Sequence, residues 1–276
     1  MAMESVTISE AKMRKLGFEG DYARGDKLFT QDKLTTVTRD DDPEWSDFVN
    51  MIVMSMTAAE SRNITRSTAH LFGQTDLFGG EYTNMFVDAL GVIGNYDELY
   101  FSVFAHYLDR KGWNLMNNGT LPMMSAPTIV SAQEDGPGPI YGGTLERILE
   151  RGVLQCAIRA NRTGFAHYPQ GDNNAIGVSN ATYNASDFVV QLAGLDAEYC
   201  RALSTSIFEG STSNVVMVEI DSEAEGFQKL GSGEVDVLAG ATWTLQNDVR
   251  EPTTGQGFSF SQPYFYRPVG YERDNR

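Results

Sequence analysis

The chain is 276 residues long, 41% hydrophobic and 11% aromatic, enough for one large packed domain or two small ones. Its formal charge of −16 argues against nucleic acid and anionic membrane surfaces as partners, and equally suits a solubility adaptation to salty surroundings. No apolar run is long enough to span a bilayer, and the opening residues lack the apolar core of a signal peptide; the expectations are a cytosolic chain, an excised piece or a mature form.

Residues 1–28 are polar and irregular, with one short helical candidate at Ser9–Leu16. Lys33–Arg39 alternates and is β-branched, which predicts a strand. Asp40–Asp42 and Pro43 stop it. Asp41 or Asp42 can cap a helix that has Pro43 at its first position and runs over about 44–61. Trp45, Phe48, Val49, Ile52, Val53 and Met56 recur at helical spacing, so the Met-rich face is core and the acids are a cap rather than a metal site. Further helices are predicted over Tyr82–Val92 and Asp97–Leu108, the latter with an aromatic core face of Tyr100, Phe101, Phe104 and Tyr107. Lys111–Asn118 is turn-rich, and Leu121–Val130 is extended and apolar.

Ser131–Gly143, dense in Gly and Pro, is the clearest linker. Beyond it come a helix at Leu145–Arg151 capped by Thr144, a strand at Val153–Arg159, and a long Asn/Gly-rich loop over 160–187 of the kind that is often functional. A short strand at Phe188–Leu192 closes that loop. Then follow a helix over Asp196–Phe208 capped by Asp196, a strand at Val215–Ile220 and a helix at Ala224–Leu230. Val235–Ala239 is a continuous apolar run, hence a strand covered on both faces. Gly240, Ala241 and Thr242 are expected in the loop after it, and Thr244–Arg250 opens another helix. Gly257–Phe260 and Tyr264–Tyr271 are extended. The α-β-α-β-α-β order from 144 to 240 predicts an α/β fold, a mostly parallel sheet flanked by helices with right-handed crossovers. Ligands in such sheets sit beyond the carboxyl ends of the strands, where Gly240–Thr242 fall.

Chemistry-bearing motifs are sparse. Cys156 and Cys200 are the only thiols, and their spacing leaves an inert buried pair or one disulfide open. His70, His106 and His167 have no ligand spacing and are structural or surface residues. Sequons begin at Asn63, Asn118, Asn161, Asn180 and Asn184, a weak pointer to secretion in a chain rich in Asn, Ser and Thr. No acid–base pair, nucleophile elbow, phosphate loop or metal spacing is present, so an enzyme is not expected.

The words TLERILERGVLQCAIR, DAEYCRALSTSIFEG, VVMVEID, EGFQKLGSGEVDVLAGATWTLQND and FSQPYFY, spread over 143–271, resemble the periplasmic solute-binding proteins of polar amino-acid ABC transporters, most of all the general L-amino-acid group. The earlier half resembles the other end of the same family. TTVTRDDDPEWSDFVNMIV is similar to the strand returning from the second lobe and the helix after it; IGNYDELYFSVF and LPMMSAP are similar to the carboxyl-terminal motifs. The order is thus permuted relative to the family. The resemblance divides the chain into an irregular segment 1–28, a carboxyl-terminal part of the first lobe at 29–130, a linker at 131–143 and an amino-terminal part of that lobe at 144–276. It implies one lobe of a type II periplasmic-binding-protein fold without most of the second lobe, either cut from a tandem array or naturally single-lobed.

The resemblance carries further expectations. Cysteines at the two matching positions imply a Cys156–Cys200 disulfide and an oxidising periplasmic or extracellular compartment. A small polar ligand such as an amino acid is implied, without cofactor or metal, and with a membrane permease or an adjacent repeat domain as partner. The family's carboxylate-binding arginine falls at Asn247, which carries no charge, with Arg250 a helical turn beyond. Gly240, Ala241 and Thr242 offer backbone amides and one hydroxyl. Thr242 can equally cap a helix beginning at Trp243. Arg159 matches a ligand side-chain contact or forms a surface salt bridge, and Phe165 matches an aromatic near the ligand or belongs to the core. The alternative function is a structural or interaction domain that kept the fold and lost its ligand.

Overall fold

The structure, a computed structural model, describes residues 2–4, 22–104, 108–115, 143–160, 162–168, 192–244 and 256–274. The expected helix at Ser9–Leu16, the extended stretch at 121–130, most of the linker, the loop from 169 onward, the strand proposed from Phe188, the helix after Thr244 and Asn247 itself lie outside the described residues. The helices are α1 (Pro43–Ser61), α2 (Met85–Ile93), α3 (Tyr96–Phe104), α4 (Thr144–Arg151), α5 (Leu195–Ile207) and α6 (Glu223–Gly231). The strands are β1 (Ala2–Glu4), β2 (Tyr22–Arg39), β3 (Leu154–Ile158), β4 (Val215–Glu219), β5 (Val237–Trp243), β6 (Phe258–Phe260) and β7 (Phe265–Asp274).

They form one α/β sheet in the order β1-β7-β2-β5-β3-β4, with β6 also pairing β2. β4, β3 and β5, the strands that alternate with helices, run parallel. β2 enters antiparallel between β5 and β7, so a strand early in sequence lies at the middle of the sheet. It begins at Tyr22, well before the Lys33 expected from alternation. Period-two alternation feeds a core on each face. Leu154, Cys156 and Ile158 of β3 and Val237 and Ala239 of β5 point into the larger core beneath α1, α2, α3 and α5. Ala157, Leu238, Ala241 and Val37 point to the smaller one, against Phe227 and Leu230 of α6. Cys156 on β3 and Cys200 on α5 are joined by a disulfide, both fully buried.

α1 forms as its sequence dictates. Asp42 Oδ1 accepts from the Trp45 amide at 3.0 Å, Pro43 stands at the first position, and the apolar stripe is buried. Asp42 Oδ2 also accepts from the Thr144 amide at 2.6 Å, tying the start of α4 to that of α1. Three local expectations change. Thr144 is inside α4, whose cap position is Gly143. In α3, Tyr96, Tyr100 and Phe104 are buried, but Phe101 is 70% exposed, because it lies on the opposite side of the helical wheel. Asp196 does not cap α5: it lies inside the helix, fully buried, and Gly194 holds the cap position with φ 124°. A Cβ at Gly194 would meet the Phe165 backbone at 2.5 Å, so packing against that chain sets where α5 begins.

The candidate ligand site at the carboxyl ends of β3 and β5

Gly240, Ala241 and Thr242 belong to β5 rather than to a loop beyond it. The pairing of β2 with β5 shifts register between Thr35 and Thr36, whose partners are Ala241 and Ala239, so Gly240 is the extra residue of a bulge, with φ +74°. Glycine tolerates this left-handed conformation, and the space allows nothing larger: a Cβ would stand 2.2 Å from Asp196 Oδ2. The Ala241 side chain is buried in the smaller core, and its carbonyl accepts from Thr35 Oγ1 at 3.2 Å. Ala241 and Thr242, whose backbone amides are expected to be open to a ligand, therefore pair within the sheet ladder, while Gly240 is the bulge between Ala239 and Ala241.

A polar cluster gathers around this bulge. Asp196 Oδ1 accepts from the Tyr264 hydroxyl at 2.7 Å, and Oδ2 lies 3.4 Å from Arg162 Nη1. Arg162 Nη1 also donates to the Gly240 carbonyl at 3.2 Å, and its guanidinium lies over the Phe165 ring at 4.9 Å. Burial pushes the Asp196 carboxyl above its ordinary range, and Arg162, the Tyr264 hydrogen bond, Arg267 and Arg159 hold it partly back. The Tyr264 phenol is raised too, by burial and then by Asp196.

Beside it runs a second chain of contacts. Arg159 directly follows β3. Its Nη1 lies 3.5 Å from Glu223 Oε1, and its side chain is 36% exposed. Thr242 Oγ1 donates to the same Glu223 oxygen at 3.0 Å. Arg267 of β7, itself buried, donates through Nη2 to Asp32 at 2.9 Å and lies 3.4 Å from Thr242 Oγ1. The Thr242 hydroxyl thus sits between a guanidinium and a carboxylate, accepting from one and donating to the other. Thr242 does not cap a helix at Trp243, which is the last residue of β5. The strand carrying Arg267 is fixed by Asn114, whose side chain exchanges two hydrogen bonds with the Tyr266 backbone, at 2.8 and 2.7 Å.

Of the residues named from the sequence, Arg159, Gly240 and Thr242 come together here. Phe165 stands edge-on to Phe104 and Phe265 in the aromatic core, with Arg162 over its ring. Sequence reasoning passed over Arg162, Glu223, Arg267 and Asp32, and took Asp196 for a cap. Only the positions of Arg162 and Glu223, just beyond β3 and at the start of α6, offered a signal. Among the described residues no cluster of His, Cys, Asp and Glu could hold a metal ion.

An α/β lobe whose sheet carries the parallel strands β5, β3 and β4 along one side, with its polar cluster at the carboxyl ends of β3 and β5, is consistent with a type II periplasmic-binding-protein lobe. Comparison with known proteins points the same way. The chain is 30% identical over 150 residues to the general L-amino acid-binding periplasmic protein AapJ of Rhizobium johnstonii, a stretch covering 54% of this chain and 37% of that protein. It is 28% identical over 131 residues to the "putative amino-acid ABC transporter-binding protein YhdW" of Escherichia coli K12, covering 47% of this chain and 31% of YhdW. The matches therefore span about a third of the length of these relatives. No family model and no solved structure matches significantly. Over about half of its length the chain is thus similar to binding proteins of amino-acid ABC transporters.

Proposed function

We propose that the chain is a solute-binding module, not an enzyme, that takes a small polar ligand bearing a carboxylate, such as an amino acid. It acts in a periplasmic or extracellular compartment with a membrane permease or an adjacent domain. The observation that carries this is the Thr242 hydroxyl set beside the Arg267 guanidinium, with Arg159 nearby, where β3 and β5 end. A hydroxyl and a guanidinium that reach the same carboxylate oxygen, with a second guanidinium on the hydroxyl, suit a carboxylate, because charge-assisted hydrogen bonds to guanidinium are among the stronger polar contacts. Arg159 and Arg267 offer the charge that Asn247 lacks. The names of both relatives support amino acids as the ligand class, and that of AapJ supports the periplasm as the compartment. The buried disulfide supports an oxidising compartment. The position of β2 between β5 and β7 supports the permuted order.

Thermal unfolding in the presence of a panel of amino acids tests the proposal. A saturable rise in the unfolding temperature with at least one of them, absent in Arg267→Ala, is the expected outcome. No rise with any amino acid would refute it. It would favour the second reading, a structural or interaction domain without a ligand. That reading has one observation of its own: a carboxylate of the protein, that of Glu223, already touches Thr242 and Arg159.

A further inference from the structure

Glu223 is the first residue of α6, yet the start of that helix is held by others. Ser222 accepts from the Glu225 amide at 3.2 Å, and Glu225 Oε2 accepts from the Asp221 amide at 2.8 Å. The Glu223 side chain is directed instead to the ends of β3 and β5, with 22% of its surface exposed. There it accepts from the Thr242 hydroxyl at 3.0 Å, with Arg159 at 3.5 Å. The same hydroxyl is backed by Arg267 at 3.4 Å. The partners gathered around this carboxylate, a hydroxyl donor and a guanidinium with a second guanidinium behind, are those that would recognise a free one.

From this geometry we infer that Glu223 is a built-in competitor: its carboxylate occupies the seat of a ligand carboxylate and must swing out before the ligand can bind. The inference rests on the solute-binding reading of this site. Glu is flexible enough for the exchange, having three side-chain torsions and a partly exposed position. A site competent only when Glu223 has withdrawn binds with an affinity reduced by the fraction of time it is withdrawn. Glu223 therefore sets affinity without contributing a contact to the bound state.

Calorimetric titration of L-glutamate, L-aspartate and L-alanine into the wild type, Glu223→Ala and Glu223→Gln tests this. The expected result is an affinity about tenfold or more higher in Glu223→Ala than in the wild type, with Glu223→Gln, which loses the charge but keeps the bulk, in between. A gain shared by all three ligands assigns the seat to the α-carboxylate, and a gain confined to the acidic ones assigns it to a side-chain carboxylate. Binding that is unchanged or weaker in both variants, while the wild type binds, overturns the competitor role alone. The absence of binding in every form overturns the competitor and the solute-binding reading together. Glu223→Gln preserves the test if Glu223→Ala folds poorly.

Discussion

At Gly240 the backbone takes φ +74°, the strand bulges, and the buried Asp196 carboxylate comes within 2.2 Å of where a Cβ would be. Conformation and space therefore both oppose any side chain. Gly240→Ala is expected to destabilise the protein by about 2–4 kcal/mol and to displace Arg162 and Asp196, measured by denaturant unfolding. A loss under about 0.5 kcal/mol, the size of an ordinary surface substitution, would contradict the bulge. The sequence marks Gly240 as a breaker after an apolar run, and a breaker reads equally as a loop or a bulge. What decides between them is the pairing of Thr35 with Ala241, some two hundred residues away in sequence, which no local pattern contains. Asp196 was misread for a similar reason. Acid before an apolar helix is a capping signal, but the Gly194–Phe165 contact moves the helix start back and carries the carboxylate inside.

Among the elements, α1 shows how much a local signal can fix when several agree. Cap, proline and apolar stripe all point to one helix, and it forms where expected. β3, β4 and α6 were likewise readable to within a residue or two from alternating apolar runs and turn residues. The bond between Cys156 and Cys200 fastens β3, at the centre of the parallel strands, to α5, which carries Asp196. Spacing alone left that bond open; the resemblance to solute-binding proteins supplied it. With a sequence separation of 44, the loop-closure argument gives a stabilisation of up to about 4 kcal/mol. Reduction, or replacement of both cysteines by Ala, is expected to lower the unfolding midpoint markedly and to loosen the Asp196–Arg162 contact. An unchanged midpoint after complete reduction, verified by mass, would show that the link adds little to the fold.

Over the whole molecule, the sheet order is what the sequence left least legible. The parallel strands follow from βα alternation, whereas the insertion of β2 between β5 and β7 depends on long-range antiparallel pairing. Arg267 and Asp32 reach the site only through that pairing, which is why neither was anticipated. Charge adds a prediction at this scale. Burial raises the carboxyls of Asp196, Glu198 and Asp236, and to a lesser depth those of Glu44, Asp47 and Asp88, above their ordinary values of 3.8 for Asp and 4.5 for Glu. Folded forms with raised pKa values bind more protons than the unfolded chain. Stability from these groups is therefore fully present below the ordinary values and is lost as pH rises through the raised ones. His167, lowered by burial, works the other way below its ordinary 6.5, but it is one group against several. The net charge of −16 adds repulsion as the remaining acids ionise. The unfolding temperature is expected to rise as pH falls from neutral toward the ordinary carboxyl values of 3.8 and 4.5, and a steady fall over that range would contradict the carboxyl assignments.

The claim on which the rest depends is that Arg159 and Arg267 face a ligand. Nuclear magnetic resonance of the arginine side-chain Nε–H groups during titration with L-amino acids tests it most directly, since it detects binding even at about millimolar affinity and locates it. The account predicts saturable shifts at Arg159 and Arg267 with the same dissociation constant, while Arg110, held by Glu60 and Asp97 outside the site, stays in place. Signals of Arg159 and Arg267 that do not move at saturating amino acid, or that move no more than Arg110, would contradict it.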